Sequence, residues 1–181
     1  MLNQSTHEQG TSWLKSILIA VVIVFILRTF IFSPFIVDGA SMEPTLHDRE
    51  RIFVSKTSSW IGEIKRGDII IIKGTENNYV KRVIALPGDV LEMKSDLLFI
   101  NNKKVKEPYL KENKIIADKK GMLLTGDFGP LTIPAKQYFV MGDNRLESGD
   151  SRNLLGYIDE KNIIGKSKLV FFPIKNVRIT N

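Results

Sequence analysis

The chain has 181 residues, 43% of them hydrophobic and 25% charged, a length and balance that suit one domain with an appendage and rule out wholesale disorder. It contains no cysteine and only two histidines, His7 and His47. Disulfide scaffolds, thiolate metal sites, a cysteine nucleophile and a three-histidine metal site are therefore excluded. The net charge of +6 suits an anionic surface, lipid or nucleic acid, but is also ordinary for a soluble basic domain.

Residues 1–12 are polar and small and read as a flexible tail. Ile17 to Leu27 then runs without a polar residue, and after Arg28 and Thr29 the apolar run resumes at Phe30. Trp13 to Phe32 is twenty residues, about 30 Å at ~1.5 Å per residue, or one hydrocarbon core. A cleaved signal peptide would need a small-x-small site after the apolar run, and Arg28 to Pro34 offers none. A buried core helix would need a partner that hides apolar residues on every face. An uncleaved transmembrane helix over 13–33 fits best. Lys15 and Arg28 stand one on each side, so flanking charge leaves its orientation open.

Past Pro34 the texture changes to short alternating or β-branched runs punctuated by Gly, Pro and Asn. Phe35–Val37, Arg51–Val54, Asp68–Ile72, Tyr79–Ile84, Val90–Met93, Leu97–Ile100, Gln137–Met141 and Lys166–Phe172 are predicted strands. Asn101-Asn102 is a hairpin turn, Asp159–Ile164 hints at a helical turn, and Leu169 to Ile174 reads as core strand. The expected fold is mainly β: a single N-terminal transmembrane helix followed, over 34–181, by a folded-over antiparallel β-barrel-like domain. A lysine-rich hairpin or loop insertion occupies about 94–136. Residues 94–120 within it suit a solvated, variable hairpin or attraction to anionic lipid headgroups.

Three segments could hold chemistry. The first is Asp38-Gly39-Ala40-Ser41-Met42-Glu43-Pro44-Thr45, a tight turn in which Gly39 and Ala40 let another backbone approach Ser41. Such a serine is either a plain turn residue or a nucleophile. The second is Tyr79 to Asp89, a strand ending in a Pro-Gly-Asp turn. Alternation puts Tyr79, Lys81 and Val83 on one face and Val80, Arg82 and Ile84 on the other, so one of two adjacent cations must face the packed side. Either Lys81 snorkels while Arg82 is solvated, or Lys81 sits in an apolar slot, where desolvation lowers its pKa and makes it a usable base. The third is Met141 to Asn153, a polar loop with two Asp…Arg pairs, a density that suits a loop buttressing a site. Asp143, Asn144 and Asp150 are oxygen ligands, but Arg145 and Arg152 beside them argue against a metal.

Taken together, the segments resemble the bacterial type I signal peptidases, the membrane-bound serine–lysine leader peptidases, and within them the Gram-positive, Bacillus-type branch. The resemblance rests on the apolar anchor, Ser-Met-x-Pro-Thr (Ser41 to Thr45), Arg-Gly-Asp (Arg66 to Asp68), Tyr-Val-Lys-Arg-Val-Ile with Leu-Pro-Gly-Asp (Tyr79 to Asp89), and Gly-Asp-Asn-Arg-x-x-Ser-x-Asp-Ser-Arg (Gly142 to Arg152). It implies Ser41 as nucleophile, Lys81 as general base and Ser148 as the serine that orients the lysine. Asp150 would order the loop with Arg152 as its ion-pair partner, and Asp143 would pair with Arg82. A preprotein would lie as an added strand between Phe35–Gly39 and Tyr79–Lys81, with Val37, Met42, Leu46, Tyr79 and Val80 lining small side-chain pockets. Gly39 stands where some members carry a serine that helps bind the oxyanion, so the hole would rely on the Ser41 N–H and a second donor not named by the sequence. The implied activity is removal of signal peptides after Ala-x-Ala, with the catalytic domain outside the cell, a cytoplasmic tail over 1–12 and the lipid bilayer and secretory preproteins as partners. No cofactor, metal or nucleic acid is implied.

Rival chemistries lack their residues. A penicillin-binding-type enzyme needs Lys-Thr-Gly, which is absent, and the tempting Ser-x-x-Lys is Ser12 to Lys15 at the anchor's edge. A His47-based triad would draw on a histidine set among Asp48, Arg49 and Glu50, a solvated stretch. A tethered β-domain that binds extended peptide without cutting it is the non-enzyme alternative.

Overall fold

The structure is a computed structural model and describes residues 5–26, 32–56 and 64–180. The N-terminal helix α1 runs from Ser5 to Ile26, so residues 5–12, expected as flexible tail, belong to its first turns. Every described side chain on it, Trp13 to Val24, is exposed, including Leu18 at 64% and Val24 at 61%. A buried core helix is thereby excluded: the described residues offer these apolar side chains no cover. Among the described residues no helix is long and apolar enough to cross a membrane. Polar residues fill the first turns of α1, and residues 27–31, where the expected span continues, lie outside the described residues; Phe32 and Ser33, the expected end of the span, instead pair as strand with Ser55 and Val54, which corrects its C-terminal bound.

The β domain is two antiparallel sheets. Strands β1 (Phe32–Ile36), β2 (Arg51–Ser55), β3 (Ile69–Ile72) and β4 (Tyr79–Ala85) belong to the larger, eight-stranded one. So do β9 (Gln137–Met141), β10 (Ile158–Asp159), β11 (Ile163–Phe172) and β12 (Arg178–Ile179). Its order is β1-β2-β11-β3-β4-β9-β10, with β12 beside β11. The smaller sheet has the order β7-β6-β5-β8, from β5 (Val90–Lys94), β6 (Leu97–Ile100), β7 (Lys103–Val105) and β8 (Phe128–Thr132).

Core placement follows from side-chain alternation. β3 is four consecutive isoleucines, all buried, because both of its faces are covered. Ile69 and Ile71 pack with Val37, Met42, Leu46, Ile52 and Val54, while Ile70 and Ile72 pack with Val83, Tyr138 and Val140. β4 passes through the Leu86–Asp89 turn into β5, so the chain leaves one sheet and enters the other there. Leu91, Met93, Leu98 and Ile100 then close over Ile84, Phe139 and Met141. Asp89 fixes that turn by accepting hydrogen bonds from Leu86 N at 2.8 Å, Arg66 Nη2 at 2.7 Å and Asn101 Nδ2 at 2.9 Å. Burial opposes the Asp89 charge, but these donors outweigh it and hold the carboxyl below its ordinary pKa. The Arg66 and Asp89 motifs therefore serve the fold. Asn101 and Asn102, at φ 50° and 63°, make the expected hairpin turn between β6 and β7.

The insertion is more than a hairpin. After β7 come a 3-10 turn (Pro108–Leu110) and the helix α2 (Lys111–Lys119), then β8. Leu110, Ala117 and Leu124 form a small core under α2, with Tyr109 against it. The helical turn expected over Asp159–Ile164 is a 3-10 turn at Glu160–Asn162, after which β11 begins. Of the Leu169–Ile174 run only Val170 is buried; Phe172 and Ile174 are exposed.

β11 crosses β2 so closely that a Cβ on Gly165 would sit 2.4 Å from Ser55 O. That neighbour is backbone in a paired strand and cannot step aside. Gly165→Ala is therefore expected to cost at least ~1–3 kcal/mol, read as a lower midpoint in thermal unfolding; an unchanged midpoint would show that β2 and β11 are not so tightly apposed.

Candidate active site

Ser41 opens a turn in the segment between β1 and β2. The segment is closed at its base by Val37 N donating to Glu50 O at 2.8 Å and Arg49 N to Val37 O at 2.9 Å. Val37, Met42 and Leu46 pin it into the core at 2% exposure or less. From the C-terminus, Arg178 donates to Thr45 O at 2.6 Å and to both Glu50 carboxylate oxygens, at 2.7 and 2.8 Å. The serine's backbone is thus a fixed point.

Lys81 reaches it from β4. Its side chain is 3% exposed, and Nζ donates to Ser41 Oγ at 2.7 Å. Burial dominates its electrostatics and lowers the pKa from 10.5 to about 8. Asp150 and Asp143 pull the value up and Arg152 pushes it down, but all act more weakly than burial. Among the described residues Lys81 forms no ion pair, because the nearby carboxylates are already committed.

Arg82 is buried too, at 2%, so of the two readings of the adjacent cations the one that leaves Arg82 solvated does not hold. Its Nε and Nη2 grip Asp143 at 2.9 and 2.7 Å, Nη1 donates to Gly67 O at 2.7 Å, and its guanidinium lies 4.0 Å from the Tyr109 ring centroid. Burial works against the Arg82 charge, yet Asp143's hydrogen bonds and charge outweigh it and raise the pKa. Thr45 Oγ1 donates to Asp143 Oδ2 at 2.5 Å, joining the nucleophile turn to this pair.

The 142–153 loop is built around Asp150. Arg152 Nε and Nη2 each donate to it at 2.9 Å, and Gly142 N donates at 3.0 Å. Burial would raise the Asp150 pKa, but the hydrogen bonds and charge of Arg152 and the Gly142 N–H outweigh it and hold the carboxyl low. The expected Asp150–Arg152 and Asp143–Arg82 pairs are both present. The expected bond from Ser148 to Lys81 is not: Ser148 is 4% exposed and its Oγ has no hydrogen-bond partner among the described residues. Gly142 leaves no space beside it, since a Cβ there would lie 2.3 Å from both Ser148 Oγ and Ser41 O.

Gly39 has φ +84° and open space around it, and its N–H donates to Asp48 Oδ1 at 2.8 Å. Ser41 N–H donates no hydrogen bond among the described residues. His47 lies away from the dyad, half exposed, with Nδ1 3.6 Å from Glu43. Tyr79 and Val80 are partly buried and flank Lys81 on β4. Pairing of β4 with β9 begins only at Arg82, opposite Met141, so Tyr79–Lys81 have no β9 partner. Among the described residues β1 likewise pairs only with β2. Two cavities of about 320 and 230 Å³ lie elsewhere, one against Lys104 and Lys114, the other beside Arg66 and Tyr109.

Glu107, Thr125 and Tyr109 were not singled out in the sequence, nor was the partner of Arg145. Glu107 and Arg145 form a buried pair at 2.5 Å, with side chains 3% and 0% exposed, and Arg145 Nη1 also donates to Thr125 Oγ1 at 3.0 Å. Tyr109 OH donates to Glu107 at 2.8 Å; burial and then Glu107 push its pKa up. Part of the segment expected as solvated or lipid-facing is therefore the buried wall behind Arg82. Only Tyr109's place beside Glu107 and Pro108, an apolar spot in a lysine-rich run, could have signalled it.

Residues 10–172 match the family model described as signal peptidase, peptidase S26. A signal peptidase I of Bacillus licheniformis is 55% identical over 182 residues, covering 98% of each chain. Signal peptidase I T of Bacillus subtilis (strain 168) is 57% identical over 170 residues, covering 93% of this chain and 88% of that one. The crystal structure of a signal peptidase I from Enterococcus faecalis V583 superposes with a TM-score of 0.53 at 35% identity, covering 57% of this chain and 96% of that chain. The chain belongs to the signal peptidase family, peptidase S26, on its Gram-positive type I branch, and is a peptidase of that family.

Proposed function

We propose that this enzyme removes signal peptides from secretory preproteins as a membrane-anchored serine endopeptidase, with Ser41 as nucleophile and Lys81 as general base, cutting after Ala-x-Ala. The observation that carries this reading is the 2.7 Å contact between Lys81 Nζ and Ser41 Oγ, made by a lysine buried enough to have a pKa of about 8. At that value about a tenth of the molecules hold a neutral lysine at pH 7, against well under a thousandth for an ordinary one. A serine needs such a base to become nucleophilic, and serine–lysine is a known variant of triad logic.

Neutral Lys81 takes the Oγ proton as Oγ bonds to the scissile carbonyl carbon. The carbonyl electron pair moves onto oxygen, where the free Ser41 N–H is available to it. Gly39 N–H is committed to Asp48 and is not the second donor. Collapse expels the amine of the mature chain, which takes the proton from Lys81. Water then gives a proton to the neutral lysine and attacks the ester, and collapse returns the proton to Ser41. Ser148 Oγ, buried without a partner, is the acceptor left for the Lys81 ammonium during these steps. The reaction draws on no metal or cofactor.

The free edges of β1 and of Tyr79–Lys81 suit an extended peptide added as a strand. Alternation turns its first and third side chains before the cut toward Val37, Met42, Leu46, Tyr79 and Val80. Val37, Met42 and Leu46 are packed in the core and Tyr79 and Val80 are partly buried, so side chains there would have little room, which suits alanine-sized groups. The exposed apolar residues of α1 from Trp13 to Val24 support a transmembrane anchor that starts at Trp13 and ends before β1, and that holds the β domain, outside the cell, at the bilayer where a preprotein's apolar segment ends.

Ser41→Ala and Lys81→Ala are each expected to lower preprotein cleavage by ~10³ or more with the fold retained, and Lys81→Arg equally, since guanidinium does not give up its proton. Near-normal cleavage by any of them would remove the dyad. The cleavage rate should rise with pH through one ionisation near 8 and then level off; a flat profile would exclude a titrating lysine. The same shift acts on stability. Between about 8 and 10.5 the folded chain binds fewer protons at Lys81 than the unfolded chain, so stability rises with pH across that window. The gain is roughly 3 kcal/mol, and Lys81→Met should remove it from a pH series of melting curves; an unchanged slope would remove burial as the cause.

Ser148 and Asp150 should separate. Ser148→Ala deletes an unsatisfied hydroxyl, so it should slow cleavage while leaving the melting temperature level or slightly higher. Asp150→Ala strands Arg152 and should cost ~3–5 kcal/mol. Equal melting losses would contradict that division.

A further inference from the structure

Asn113 sits on the inner side of α2, on the same face as the buried Ala117. Its side-chain Nδ2 donates to Glu43 O and to Asp143 O, both at 2.9 Å. These carbonyls belong to different loops: Glu43 stands two residues after Ser41, and Asp143 follows Gly142 at the start of the buttressing loop. A primary amide has two N–H groups, and here one is spent on each carbonyl. The loops meet without slack. Compression is stopped at Gly142, where even a Cβ would lie 2.3 Å from Ser41 O. Opening is resisted by Asn144, whose N donates to Ser41 O at 3.1 Å and whose Nδ2 donates to Ala40 O at 3.3 Å. Asn113 is the tie that reaches the same seam from the insertion.

We propose that Asn113 is a positioning residue for the Ser41–Lys81 reaction, holding the nucleophile turn and the 142–153 loop at one separation through its two amide protons. The inference rests on the dyad reading. Ser41 Oγ must stay within hydrogen-bond reach of Lys81 Nζ, and a displacement of about 1 Å can cost ~10²-fold in rate. Substrate affinity, which depends on the β1 and β4 edges, should be nearly untouched. Aspartate has almost the shape of asparagine but sets carboxylate oxygens against two carbonyl oxygens, so it should harm more than alanine.

The test uses the full chain in detergent with a preprotein carrying Ala-x-Ala. Expected for Asn113→Ala is a kcat lower by ~10- to 100-fold and a KM within about twofold of wild type. The midpoint of its pH profile should stay where wild type has it. Asn113→Asp should be slower still, and Asn113→Gln, which keeps both protons, should regain part of the loss. Should Asn113→Asp fail to fold, the Ala and Gln pair carries the test. A kcat within twofold of wild type for Asn113→Ala would overturn the proposal. So would equal losses for Ala and Gln, or a pH midpoint moved toward 10.5 together with a lower melting temperature, since each means general support of the fold. A dead Ser41→Ala beside a fully active Asn113→Ala would defeat this inference alone, whereas cleavage by Ser41→Ala would defeat the dyad reading and this inference with it.

Discussion

Two consecutive cations on one strand, Lys81 and Arg82, are both buried, and the rest of the site follows from that constraint. Strand geometry sends them to opposite faces. On one face Arg82 receives everything a buried cation needs: two bonds to Asp143, a backbone carbonyl and an aromatic ring. On the other face Lys81 receives a serine hydroxyl and, among the described residues, no counter-ion. An ammonium without a partner in a dry place is costly, so the lysine gives up its proton readily. One cation is thereby a permanent structural charge and its neighbour a base.

This division depends on keeping carboxylates away from Lys81. Asp143 and Asp150 are close enough to pull its pKa up, yet each is bound to an arginine. A free carboxylate in either place would pair with the lysine and return it to the ammonium form. The buried Glu107–Arg145 pair and the Tyr109 ring extend the same logic to the insertion, which closes the outer side of Arg82 and carries Asn113 to the seam between the two loops. Such pairs do little for net stability; here they fix where charge is allowed.

Much of the fold was legible because the strands obey simple patterns. Four isoleucines in a row declare a strand with two covered faces, and Asn101-Asn102 tolerate the positive φ their turn requires. Two elements broke those patterns. α2 buries Ala117 and partly buries Asn113 while exposing Ile115 and Ile116, so its sequence carries no inward apolar stripe. β8 contains Gly129 and Pro130, which argue against a strand, and it survives as the edge of its sheet, where proline is tolerated. At the site, Ser41 and Lys81 stood out through their motifs, as did the Asp143 and Asp150 partners. Glu107, Tyr109 and Asn113 did not, because their roles arise from contacts 27 or more residues away in the chain, with Arg145, Arg82 and the Glu43 and Asp143 carbonyls, and the surrounding lysines suggested solvent. Ser148 was legible as a neighbour of the dyad but not as a hydroxyl left without a hydrogen bond.

The central claim is that Lys81 is a base because it is buried, and it can be read at the residue itself. An NMR titration following the Lys81 side-chain carbon beside Nζ reports its protonation without relying on cleavage. A midpoint near 8, well below the exposed lysines of the same chain, is the expected result. A midpoint at the ordinary lysine value of ~10.4 would mean that Lys81 stays an ammonium beside Ser41 and that the hydroxyl is activated by something else.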